Sequence, residues 1–293
     1  MFACLHAPDF LVQSVVRLDA ALRQQPVAVL DGSPPLQKVI ALNPRAREQG
    51  MYLGMTKAQA ELFGAKLCQR NRTQEAAAAQ ALLDCAFAFS PRVEEAGEHN
   101  SRVILDIDGL ERLHGNAKSI GQALQQLGNT VGFELNVGIA ANPDAATLAA
   151  HGFSGITVVP PGMERERFGP LPIAILDLSR ELQETFRAWG IHTLQALADL
   201  PEIGLIERIG QEGKRLQTLA RGVSQRCLIP REPELTFEES LELEFSIELL
   251  EPLTFVLARL LQPLCARLAA RGLAAGTIVL TLEPESQTAA QSE

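Results

Sequence analysis

RVILDIDGLERLHG, residues 102–115, decides how the chain folds. Its first six residues form an apolar run of strand length, and Asp108-Gly109 closes that run with a turn signal. Downstream, residues 116–128 read as a helix and FELNVGIA (133–140) as another strand, after which Asn142 caps PDAATLAAHG with Pro143 in its first turn. Upstream, FACLH (2–6), PVAVL (26–30) and KVIALN (38–43) read as strands. A helix is expected from about Phe10 to Arg23, with apolar residues at 11, 12, 15, 16 and 22. Pro44 opens PRAREQG, Thr56 caps KAQAELFG, and an Ala-rich helix covers Thr73–Phe89. SPRVEEAGEHNS (90–101) reads as a polar loop. Strands and helices therefore alternate through residues 1–160.

From about residue 165 the pattern turns helical, through ELQETFRAWGI, TLQALADLP and IGLIERIGQEGKRLQTLARG. ELTFEESLELEFSI (234–247) alternates like a half-buried strand with a solvated acidic face. Glu248–Arg271 reads as a long helix and TIVLTLE (277–283) as a strand. The 293 residues, 46% hydrophobic, hold enough apolar material for two or more domains. A net charge of −9 argues by itself against a tight grip on nucleic acid. The charge is segregated, however. Arg208, Lys214, Arg215, Arg221, Arg226 and Arg231 precede a stretch, Glu232–Glu251, that carries eight Glu and no Lys or Arg.

Neither a signal peptide nor an apolar run approaching about 20 residues is read, so the expected compartment is the cytoplasm with no membrane contact. The five cysteines lack metal-ligand spacing and read as reduced and mostly buried. His6, His99, His114, His151 and His192 share no spacing suited to ligation or catalysis.

The stretches RVILDIDGLERLHG, VGIAANPDAATLAA, WGIHTLQALADLP, GQEGKRLQTLARG and LELEFSIELLEPLTFVLARLLQPLCARLAARGLAAG, in this order and spacing, resemble a Y-family (UmuC-like) DNA polymerase, and within it the ImuB-like branch. The resemblance implies an α+β fold. A palm would occupy residues 1–30 and 74–165, fingers 31–73, a helical thumb 166–231 and a partial little finger 232–293. Polymerases of this kind hold two divalent metals about 3.5–4 Å apart on carboxylates, because Mg²⁺ takes hard oxygen ligands. The resemblance places the first ligand at Ala7, within Ala7-Pro8-Asp9, and the later pair at Ser101 and Arg102. It places the ribose gate near Val12, a phosphate-binding Tyr at Pro44 and a phosphate-binding Lys at Thr147. Arg47 alone matches the pattern, either as a remnant nucleotide-phosphate contact or as a solvated helix residue.

No metal or catalytic residue is therefore expected. The reading that follows is a non-catalytic adaptor in translesion synthesis and SOS-type repair, which binds primer–template or damaged DNA weakly. A RecA-like ImuA protein, the sliding clamp and an error-prone polymerase are its implied partners. One alternative is an active polymerase using Mg²⁺ on relocated ligands Asp9, Asp106 and Asp108, although Asp108-Gly109 also reads as a plain turn. Another is a protein-only scaffold. For DNA contact, Arg208, Gly210, Gly213, Lys214 and Arg215 resemble a helix–hairpin–helix turn, where glycines let backbone N–H groups approach a phosphate at a helix start. The earlier hairpin, ILDLSRELQETF, lacks a glycine turn.

Overall fold

The computed structural model describes residues 1–97, 101–243, 247 and 249–282. The strands are β1 (Phe2–His6), β2 (Val27–Asp31), β3 (Lys38–Leu42), β4 (Lys66–Gln69), β5 (Val93–Ala96), β6 (Arg102–Asp106), β7 (Asn136–Ala140) and β8 (Ile156–Val158). Among them run α1 (Phe10–Val16), α2 (Ala20–Arg23), α3 (Pro44–Glu48), α4 (Lys57–Glu61), α5 (Arg72–Phe87), α6 (Glu111–His114), α7 (Ala117–Thr130) and α8 (Pro143–Gly152). After β8 come α9 (Glu164–Phe168), α10 (Arg180–Ala188), α11 (Leu194–Ala198), α12 (Glu202–Ile209), α13 (Gln211–Ala220) and α14 (Leu250–Ala270). The fold is α+β.

A five-stranded sheet in the order β5-β6-β1-β7-β8 forms the centre, antiparallel except for the β7–β8 edge. Its three central strands, β6, β1 and β7, are short apolar runs buried on both faces, which is why they lack strict alternation. One face carries Ala3, Leu5, Val103, Leu105, Val137 and Ile139 against α5 and α7. The other carries Cys4, Ile104 and Ala140 against α8 and the helices of residues 164–220. Asn142 caps α8 by accepting the Ala145 N–H at 2.8 Å, and Pro143 fills the first helical position as expected.

A second sheet, β3-β2-β4, is covered by α3 and α4. Asn43 caps α3, and a Thr56–Gln59 capping box starts α4. β2 belongs to this small sheet, pairing with β3 and β4. The helix expected over Phe10–Arg23 divides at Leu18, with Asp19 capping the second piece through the Ala21 N–H.

Three further expectations need correction. The loop expected at 90–101 contains β5, an edge strand whose glutamates face arginines from the distant segment 226–231. The strands expected at 234–247 and 277–283 do not form among their described residues, which pair with no sheet. The acidic run is not merely solvated: Glu239 is fully buried between Arg17 and Arg267. Of the cysteines, Cys4 and Cys85 are buried whereas Cys227 and Cys265 are exposed.

The long C-terminal helix α14 lies across α5 and α7. It has the length and apolar composition to cross a membrane, contrary to the expectation that no run approaches that length. Its arginines tie it to the protein instead. Arg267 donates to Asp84 Oδ2 and Glu239 Oε1, both at 2.9 Å, and Arg271 donates to Asp84 Oδ1 at 2.9 Å. Arg259 pairs with Asp19 at 3.0 Å.

Candidate functional site

The residues expected at metal-ligand positions, Ala7, Ser101 and Arg102, lie at one end of the β1–β6 pair. His6 lies opposite Arg102 in the strand register, and the Ala7 N–H donates to the Ser101 carbonyl at 2.9 Å. Opposed residues of an antiparallel pair share a face and successive residues alternate. Ala7 and Ser101 thus fall on the α5–α7 face, where Ala7 is buried beside Leu5 and Phe10. His6 and Arg102 fall on the opposite face.

Chemically this group does not fit a pair of divalent metals. Ala7 offers a methyl, Ser101 a neutral hydroxyl and Arg102 a fixed cation. Among the described residues no three His, Cys, Asp or Glu side chains cluster closely enough to hold a metal ion. The relocated trio does not assemble either. Asp106 lies opposite Phe2, at the far end of β1 from Asp9 and separated by roughly 13 Å of strand. Its carboxylate accepts from Arg92 at 2.6 Å and from the Asp108 N–H at 3.1 Å, which makes the turn that Asp108-Gly109 signals. Asp108 itself pairs with the N-terminal ammonium.

Arg102 has acquired a different partner. It forms an ion pair with Asp177, which follows a 3-10 turn (Ile173–Leu176) and holds a left-handed backbone at φ 49°. Gly97 makes room for the guanidinium, since a Cβ there would lie 2.5 Å from Arg102 Nε. Beneath it, the rings of His6 and His151 meet edge to face with centroids 5.0 Å apart. Sequence spacing gave no sign of this histidine pair. Burial, then the neighbouring His151 and Arg102, push His6 down to about 4; burial and then Arg102 lower His151. Both imidazoles are neutral at pH 7. Arg102, Asp177 and Gly97 line a cavity of about 510 Å³ together with Ala174, Leu178 and Gln183.

The positions expected around a nucleotide have also been reused. Arg47 makes a two-pronged ion pair with Asp9, one bond of 2.8 Å, so it is not a free phosphate contact. Val12 is buried with Val16, Val27 and Val29 and faces a core, not a ribose. Pro44 serves as a helix start, and the Thr147 hydroxyl donates back to the Pro143 carbonyl at 2.9 Å.

In the helical segment, Gly210 joins α12 to α13 at φ 79° with open space around its Cα. Gly213 plays a different part from the one expected. It is buried where a Cβ would come within 2.9 Å of the Leu205 side chain, so it serves helix packing and not phosphate approach. Lys214 pairs with Glu202 at 2.9 Å, and Arg215 makes two bonds to Glu212 at 2.8 and 2.6 Å. Arg208 has no carboxylate partner among the described residues and lies over the Trp189 ring, 5.5 Å from its centroid. Expected His99 lies outside the described residues.

The sequence profile of the impB/mucB/samB family matches residues 5–151, half of the chain, and the chain belongs to that family of Y-family DNA polymerases. Among its relatives are two proteins named DNA polymerase IV. One, from Dehalococcoides mccartyi (strain CBDB1), is 28% identical over 240 residues, covering 78% of this chain and 60% of the relative. The other, from Francisella tularensis subsp. holarctica (strain FTNF002-00 / FTA), is 26% identical over 227 residues, covering 75% and 64%. The chain thus spans less than two thirds of either relative. The crystal structure of DinB from Sulfolobus solfataricus superposes with a TM-score of 0.64 at 19% identity, covering 79% of this chain and 70% of that one. An insertion ternary complex of Dbh DNA polymerase gives 0.64 at 18%, covering 78% and 69%. At such identities these two establish the fold.

Proposed function

We propose that this chain is a non-catalytic Y-family homologue of the ImuB-like kind, a DNA-binding adaptor in translesion synthesis of the SOS type. The observation that carries this reading is the chemistry at one end of the β1–β6 pair: Ala7, Ser101 and Arg102, the positions that the resemblance assigns to the ligands of two metals, lie there close together in the strand register, and none of them can hold a divalent metal. The reuse of Arg47, Val12, Pro44 and Thr147 in packing and ion pairing supports it. In this reading the palm (1–30 and 74–165), fingers (31–73), thumb (166–231) and partial little finger (232–293) form a scaffold that holds primer–template or damaged DNA weakly. It works in the cytoplasm beside a RecA-like ImuA protein, a sliding clamp and a separate error-prone polymerase. DNA contact runs through phosphates at Arg208 and at the α12–α13 junction around Gly210, with Lys214 and Arg215 following on α13.

Primer extension with Mg²⁺ or Mn²⁺ tests the reading, alongside titration of labelled primer–template at low salt. No incorporation, with binding that weakens as salt rises, is the expected result. Metal-dependent incorporation overturns the non-catalytic claim. A protein that binds no primer–template at low salt overturns the adaptor claim in favour of a protein-only scaffold.

A further inference from the structure

We infer that Trp189 stacks on an unpaired DNA base while Arg208 and Arg187 take the flanking phosphates; this deepens, and rests on, the DNA-binding reading above. Most cations of residues 166–231 already have a partner within the protein. Lys214, Arg215, Arg180, Arg226 and Arg231 are each paired with a carboxylate. Arg221 donates both its bonds to the Ala198 carbonyl, and Arg167 lies over Phe153. Arg187 and Arg208 remain, exposed and without a carboxylate partner among the described residues. Glu207, beside Arg208 in the chain, makes no ion pair with it. A carbonyl or a ring does not cancel a guanidinium charge, so among the described residues positive potential survives on this segment at Arg167, Arg187, Arg208 and Arg221, and of these Arg208 is the one in contact with Trp189.

Arg208 lies against the chain's single tryptophan, Trp189, and Arg187 precedes that tryptophan by two residues at the end of α10. Trp189 ends α10, its ring edge against Phe186 with centroids 5.9 Å apart. The Arg208 guanidinium reaches it from α12, a separate element, and 37% of the residue is still exposed. An aromatic surface held by a core phenylalanine and met by the Arg208 guanidinium has the chemistry of a stacking platform for single-stranded nucleic acid. A protein partner could also use a Trp–Arg pair. The uncompensated guanidinium charges of this segment favour a polyanion.

Because Trp189 is the only tryptophan, its emission reports on this patch alone. The experiment follows tryptophan fluorescence and the anisotropy of a labelled oligonucleotide in parallel at low salt, with a primer–template bearing an unpaired thymine overhang and with a blunt duplex of equal length. Quenching by the overhang substrate that saturates with the anisotropy signal is expected, with little quenching by the blunt duplex. Arg187→Ala with Arg208→Ala should weaken overhang binding about tenfold with an unchanged circular dichroism spectrum. Anisotropy that reports binding while the tryptophan signal stays constant, or equal quenching by both substrates, overturns the base contact and leaves the DNA-binding reading standing. If neither signal responds to any DNA, that reading itself has failed.

Discussion

Two seams join later parts of the chain to the central sheet unit, and they use charge differently. At the C-terminal seam, Arg17, Glu239, Arg267 and Asp84 form a chain of ion pairs with side chains almost wholly excluded from water, extended by Arg271 at its margin. At the helical seam, Arg102 meets an Asp177 that is about half exposed, above two neutral histidines. Burial raises Asp84 against the pull of Arg267 and Arg271, and it lowers Arg17 despite Glu239. At Asp84 and Arg17 the desolvation cost therefore outweighs the attraction of their partners. What the relay supplies is position. Only one placement of α14 and residue 239 satisfies every charge, whereas water can replace much of what Arg102 and Asp177 give each other.

The largest expected effect comes from breaking the relay in the middle. Arg267→Ala leaves Asp84 and Glu239 buried without their shared cation and should destabilise the protein by about 3–5 kcal/mol in urea unfolding. Hydrogen exchange should show protection lost first across Leu250–Ala270. A cost below about 1 kcal/mol would mean that apolar contact, not the relay, fixes the helix.

The helical seam should respond instead to pH. His6 titrates near 4 in the folded chain against about 6.5 when unfolded, so the unfolded state binds more protons between those values. Stability contributed by the neutral imidazole is present above pH 6.5 and is lost as pH falls toward 4. The loss from His6 is about 2 kcal/mol after allowance for its partial exposure. His151 acts in the same direction. His6→Gln removes the group without a charge, so the difference between wild-type and variant unfolding curves should grow over that window and be flat above it. Parallel curves throughout would show that the pair is hydrated and not buried.

The seams also mark how far the sequence could be read. The apolar runs of β1, β6 and β7 announce themselves, and their register brings Ala7 opposite Ser101. β5 was hidden because VEEA is half acidic, and Glu94 and Glu95 become tolerable in a strand only when Arg226 and Arg231 arrive from more than 130 residues away. ELTFEESLELEFSI failed in the opposite sense. Its alternation suits a strand, but no neighbouring strand receives it, and Arg17 and Arg267 capture Glu239 instead. Gly213 lies in a glycine-rich turn by sequence and in a helix contact by structure. Asp177 and His151 belong to the site through packing across α8 and the 3-10 turn, which no local spacing encodes.

The smallest effect is the most specific test of the comparison. Arg102→Ala and Asp177→Ala, alone and together, should give a coupling of about 0.5–1 kcal/mol, because one partner is open to solvent. That coupling should fade between 0.05 and 0.5 M salt, roughly the range over which the Debye length shrinks from above 10 Å to below 5 Å. The Arg267–Asp84 coupling, shielded from ions, should not. Reversing the charge sharpens the point. Arg102→Glu restores the carboxylate that the family resemblance places at this position, but sets it against Asp177 and should cost more than Arg102→Ala. Arg102→Glu combined with Asp177→Arg should recover most of the loss. If Arg102→Glu is as stable as the wild type, the two groups do not sense each other. Arg102 would then be a bystander and not the tether between the sheet and the helical segment.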